Sequence, residues 1–161
     1  MGQAIGSYDP ARIATVFSSS GGEVEVIHRI FEELATPSPV LSPMQFHNSV
    51  HNTAAGYWGI ATSSHAASNS ICAFNDSFGS GLLEACIQCT VEATPVLLVA
   101  YDSPPVFPLN KARPLAGPFA TALLLMPTEQ GDIIASLTAE FVTRRAESPV
   151  DDAELEPLRQ N

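Results

Sequence analysis

Three groups of side chains in this 161-residue chain have types and spacings that could support chemistry. His47 and His51 stand four positions apart, as two metal ligands on one helix face would. However, no Glu follows His47 where a zincin carries its base, and no third ligand is close in sequence. They read as hydrogen-bonded, partly buried imidazoles, and His28 and His65 as structural or solvated ones. Cys86 and Cys89 form a single C-x-x-C. A zinc site needs a second pair, and these two sit in an apolar helical pattern, so packing is the expectation. Ser18-Ser19-Ser20-Gly21-Gly22 has the small residues of a phosphate loop but neither the P-loop Lys nor a G-x-G-x-x-G. No metal or cofactor is implied.

The elements around these groups alternate. Residues 11–17 are β-branched and apolar and run into the Ser-Gly loop, so a strand is expected there. Val24, Ile27, Ile30, Phe31 and Leu34 then recur at helical spacing, with charged residues mostly on the opposite face. Pro37 and Pro39 end that helix. Residues 36–45 are expected as a Pro/Ser-rich loop, 46–60 as a tightly packed helix around Ala54-Ala55-Gly56, and 69–74 as a short strand. Asn75-Asp76-Ser77 opens a helix that reaches about Ala93. Residues 95–101 are nearly all apolar, which marks a central strand covered on both faces. A proline-rich surface connection spans 102–117. Residues 119–126 and 133–144 are expected as strands joined by a hairpin loop at 127–131. The fold class is α/β. The main unit is expected over residues 1–146, followed by an acidic, mobile tail at 147–161.

Composition narrows the class of partner. Lys and Arg number 7 against 17 Asp and Glu, a net charge of −10, which excludes nucleic acid and anionic membrane as main partners. There is no run of 18 apolar residues and no basic, then apolar N-terminus of the secretory kind, so neither a membrane span nor a leader is expected and the location is expected to be cytoplasmic. Three cysteines fit a reducing compartment. No Lys or Arg occurs between Arg29 and Lys111, and residues 34–75, forty-two in all, contain no Asp, Glu, Lys or Arg.

The order of these elements resembles the N-terminal half of a β-ketoacyl synthase, which has the thiolase fold. Ala54-Ala55-Gly56 through Glu84-Ala85 lies on the ketosynthase pattern without a gap. In that family the motif T-A-C-[AS]-S-G presents a nucleophilic Cys at a helix N-terminus, whose dipole lowers the thiol pKa. The same positions here read Ala73-Phe74-Asn75-Asp76-Ser77-Phe78. The Cys position is Asn75. An amide neither ionises near neutrality nor carries an acyl thioester. No match to the two histidines of the ketosynthase C-terminal half is found either.

Phe46-His47-Asn48-Ser49-Val50-His51-Asn52, Gly56-Tyr57-Trp58 and Gly81-Leu82-Leu83-Glu84-Ala85 are similar to a short bacterial family of chain-length-factor-like proteins from aryl polyene pigment clusters. The likeness covers about residues 9–126, and implies that the first βα elements are missing and that the chain stops early. The function it implies is a non-catalytic, chain-length-factor-type subunit in fatty acid, polyketide or aryl polyene synthesis. That subunit would pair with an active ketosynthase or with itself, and meet an acyl carrier protein through the partner. The loop through Gln45, Phe46 and His47 would cross the dimer axis, with His51, Asn52 and Phe78 near it. Ile27 and Phe31 would stand near the end of the acyl tunnel, and the 69–73 strand would pair edge to edge across the dimer. Two rivals stay open: a divergent acyltransferase or hydrolase using Cys72 or Ser77, and an inert structural domain.

Overall fold

A computed structural model describes residues 5–127 and 133–140. Its strands are β1 (Ala14–Ser18), β2 (Ser68–Ile71), β3 (Val96–Asp102) and β4 (Phe119–Leu125). Its helices are α1 (Val24–Leu34), α2 (Pro43–Asn48), α3 (Thr53–Thr62), α4 (Ser77–Glu92) and α5 (Leu109–Ala112). The strands form one mixed sheet in the order β2-β1-β3-β4. β1 runs parallel to β2 and β3, and β4 closes the other side antiparallel to β3.

Strand alternation divides the core in two. Val16, Val96 and Leu98 face α4, where Ala85 and Cys89 meet them. Phe17, Leu97 and Val99 face the other way, with Ile5 and Ile13, and Ala54, Ala55 and Trp58 of α3 pack over them. β3 therefore has helices on both faces, which is why its sequence is apolar without alternation. The central strand, α1 and α4 form as their patterns predict.

Four expectations change. The first strand begins at Ala14 because Pro10–Arg12 form a 3-10 turn, with the Asp9 carboxylate accepting from the Ala11 N–H at 3.0 Å. The expected 36–45 loop is shortened by α2, which Ser42 caps and Pro43 starts. The expected 46–60 helix is divided into α2 and α3, and α3 is not tightly packed: none of its residues is buried, and a Cβ at Gly56 would meet nothing. Residues 133–140 form no strand, leaving β4 at the sheet edge. An apolar run becomes a strand only when a neighbour accepts its hydrogen bonds, and among the described residues none pairs with this run. Residues 128–131 of the expected hairpin loop, 141–144 of the expected strand and the tail 147–161 lie outside the described residues.

Candidate functional site

Because β1, β2 and β3 are parallel, their C-terminal ends reach one edge of the sheet, where ligand sites of open α/β sheets are built. Three segments converge there: the 19–22 loop after β1, the 72–77 turn after β2, and Asp102 at the end of β3. Asp102 Oδ1 accepts from the Ser20 N–H at 2.9 Å, the Gly21 N–H at 3.3 Å and the Ser19 hydroxyl at 3.1 Å. The Ser19 Oγ accepts in turn from the Gly22 N–H at 2.8 Å. Gly22 has φ +59°, a left-handed backbone for which glycine is suited. The donors that suggested a phosphate loop are thus taken by the chain's own carboxylate.

The carbonyls of that loop serve its neighbours. His51 Nε2 lies 3.1 Å from the Ser19 carbonyl, and the exposed Cys72 thiol donates to the Ser20 carbonyl at 3.3 Å. His47 is exposed on α2, which ends at Asn48, so the two histidines do not share one helix face. Among the described residues no group of three or more His, Cys, Asp or Glu could hold a metal ion.

The 72–77 turn is bound from inside. Ser77 is buried, and its hydroxyl donates to the Phe74 carbonyl at 2.7 Å and accepts from the Ala73 N–H at 3.0 Å. Ser18 donates to the Ser77 carbonyl at 2.6 Å. The Ser77 proton is therefore committed to holding the turn. Phe74 adopts φ +53°, uncommon for a bulky residue and a local strain of the kind found at functional turns. Its exposed ring lies under the Arg113 guanidinium, 4.3 Å from centroid to Cζ. Asn75 follows, exposed, in the 3-10 turn Phe74–Asp76 that leads into α4.

The other singled-out residues lie around this edge or behind it. Phe78 is half exposed on the first turn of α4. Gln45 is half-buried on α2, while Phe46 beside it and Asn52 before α3 are exposed. On α1, Ile30 is the buried residue, Ile27 is half-buried, and Phe31 is 63% exposed. The structure thus brings His51, Cys72 and Ser77 to one loop, and leaves Ile27, Phe31 and Phe46 on helices beside it. Cys86 and Cys89 are on α4, and burial pushes both thiols up, Cys89 also through Cys86. Tyr101, next to Asp102, is raised by burial, with smaller contributions from the charges of Glu23 and Asp102.

Two residues of the site escaped the sequence reading. Asp102 has one visible signal, an acid that terminates an unbroken apolar strand. Arg113 has another: with Lys111 it is one of two cations between Arg29 and Arg144. A separate open groove of about 850 Å³ runs beside the free edge of β2, lined among others by Trp58, Ile60, His65 and Ser68. No helix among the described residues is long and apolar enough to cross a membrane.

Comparison with known proteins identifies the arrangement. The comparison with curated proteins gave no match. Among solved structures, the chain is similar to one in the complex described as a ketosynthase (ApeO) with its chain length factor (ApeC) from Xenorhabdus doucetiae. The two are 33% identical with a TM-score of 0.66, over 72% of this chain and 50% of that one. The match thus spans half the length of the solved chain. The family model described as the β-ketoacyl synthase N-terminal domain matches residues 4–160. With nearly its whole length matched, and with a mixed sheet whose parallel ends carry the expected strand, turn and helix, this chain belongs to the β-ketoacyl synthase N-terminal domain family.

Proposed function

We propose that the chain is a non-catalytic ketosynthase-like subunit of the chain-length-factor type, which pairs with an active ketosynthase and helps to set the length of an acyl or polyene product. The observation that carries this reading is Asn75. It occupies the position at which the family holds its nucleophile, and a carboxamide can neither attack a thioester nor store the acyl group. The likeness to a chain of a ketosynthase and chain length factor complex supports a ketosynthase as partner. An acyl carrier protein would be met through that partner.

The surface supports a partner as well. Val40, Met44, Phe46, Val50, Tyr57 and Ile60 are all exposed, and all lie in the charge-free 34–75 stretch. Scattered apolar residues are ordinary on a surface, but this many without one intervening charge in the sequence support an interface. β2 is an edge strand among the described residues, which supports edge-to-edge pairing across a dimer.

The test is co-purification with a ketosynthase encoded nearby. A complex at micromolar concentration, and a change in product length when the chain is added, are expected. Absence of both defeats the proposal. In the 161-residue chain, Asn75→Cys is expected to create no condensing activity, since no match to the family's two histidines is found within these residues. A labelled acyl thioester that forms a covalent adduct on Cys72 would favour the acyltransferase reading instead.

A further inference from the structure

The loops of the candidate site are joined to one another by polar contacts, and those contacts meet at one side chain. Asp102 lies 81 to 83 positions from its three donors, and through it the end of β3 holds the loop after β1. Two of the donors are successive backbone N–H groups and the third is a hydroxyl that is itself fixed by Gly22. This is the geometry in which successive amides receive an anion, and here the anion is internal. The loop's amides turn toward Asp102, and the carbonyls of Ser19 and Ser20 accept from His51 and Cys72.

We propose that residues 19–22 form a carboxylate-binding nest filled in cis by Asp102, and that this latch sets where His51 and Cys72 stand. Asp102 acts as a positioning residue: its hydrogen bonds and those of His51 and Cys72 all go to the loop, and it reaches both through that loop. The proposal does not require a partner chain, so its failure and that of the subunit reading are separable.

The nest makes a specific prediction of chemical rescue. In the full-length chain, Asp102→Ala is expected to raise the rate of Cys72 alkylation several-fold and to move the Ser20 and Gly21 amide signals in an NMR spectrum. Added acetate should fill the vacated nest and reverse both effects. Acetamide, which has the same shape without the charge, and chloride at equal ionic strength should not. Asp102→Asn keeps an acceptor oxygen and is expected to fall between the wild type and Asp102→Ala. If Asp102→Ala does not fold, Asp102→Asn and Ser19→Ala decide, since each weakens the nest without emptying it and should raise Cys72 reactivity by a smaller factor. Unchanged Cys72 reactivity and amide signals in the variants that fold, or equal rescue by acetate and acetamide, would overturn the proposal.

Discussion

Asn75, Cys72 and Ser77 lie within six positions of one another, yet their chemistry is separated by what surrounds them. Asn75 is exposed on the turn, Cys72 is exposed and donates to a carbonyl, and Ser77 is buried with its hydroxyl bound on both sides. Ser77 is therefore a component of the turn, and its role follows from hydrogen-bond satisfaction in a buried place. The thiols differ in the same way. A thiolate is the reacting form, and burial keeps Cys86 and Cys89 protonated to higher pH than usual. Brief treatment with iodoacetamide near neutral pH is therefore expected to modify Cys72 first, half-buried Cys86 later and buried Cys89 last, as read by peptide mass spectrometry. Modification of Cys89 at the rate of Cys72 would contradict this order. The residue types were legible in the sequence. The long-range partners were not, because they lie 52 or more positions away, as Ser20 does from Cys72 and Ser18 from Ser77.

Helix α4 is the element on which the fold and the site both depend. Ser77, Gly81, Ala85 and Cys89 make its buried face, at intervals of four. Leu83, Ile87 and Val91 are exposed on another. A helix apolar on more than one side is suited to burial between two layers, and among the described residues only the sheet side is filled. Gly81 permits the close approach of the helix to β1: a Cβ there would stand 2.7 Å from the Ser18 Cβ and 2.9 Å from its Oγ. Gly81→Ala gains about 1 kcal/mol in helix propensity, but the clash with the strand costs more, so a net loss of about 1–2 kcal/mol is expected in urea unfolding. A stabilised variant would show that the helix can move away at little cost. The existence of α1, α4 and β3 was readable from periodicity. The break between α2 and α3 was not, because no Gly or Pro occupies 49–52. There the side chains compete with the helix: Ser49 donates to the Phe46 carbonyl at 2.8 Å and Thr53 to the Val50 carbonyl at 2.7 Å.

At the scale of the whole molecule, the surface carries two unlike features. One is the charge-free region of 34–75, with Ile60 76% and Val40 77% exposed. The other is an excess of acidic residues elsewhere, with the net charge at −10. An apolar, uncharged segment meets a partner through area and shape, and its largest exposed side chains should dominate the binding. Phe46→Asp and Ile60→Asp are each expected to weaken the proposed ketosynthase complex by about tenfold or more, which corresponds to about 1.4 kcal/mol. Since both side chains are exposed in the chain alone, the melting temperature should change little. Equal loss of stability and affinity would instead assign them to the fold.

The sequence by itself determined the central strand, the two long helices and the family resemblance. Periodicity, an unbroken apolar strand and the order of the motifs are local or additive properties, and the Asn on the turn after β2 is a matter of residue type. What only the tertiary structure decided is how the ends of the parallel strands are tied together. The phosphate-loop reading was resolved by Asp102, which fills the loop from more than 80 positions away. The paired histidines were separated by a helix that ends between them. Contacts of this kind arise where chain segments distant in sequence are brought to one edge of the sheet, and no spacing along the chain records them.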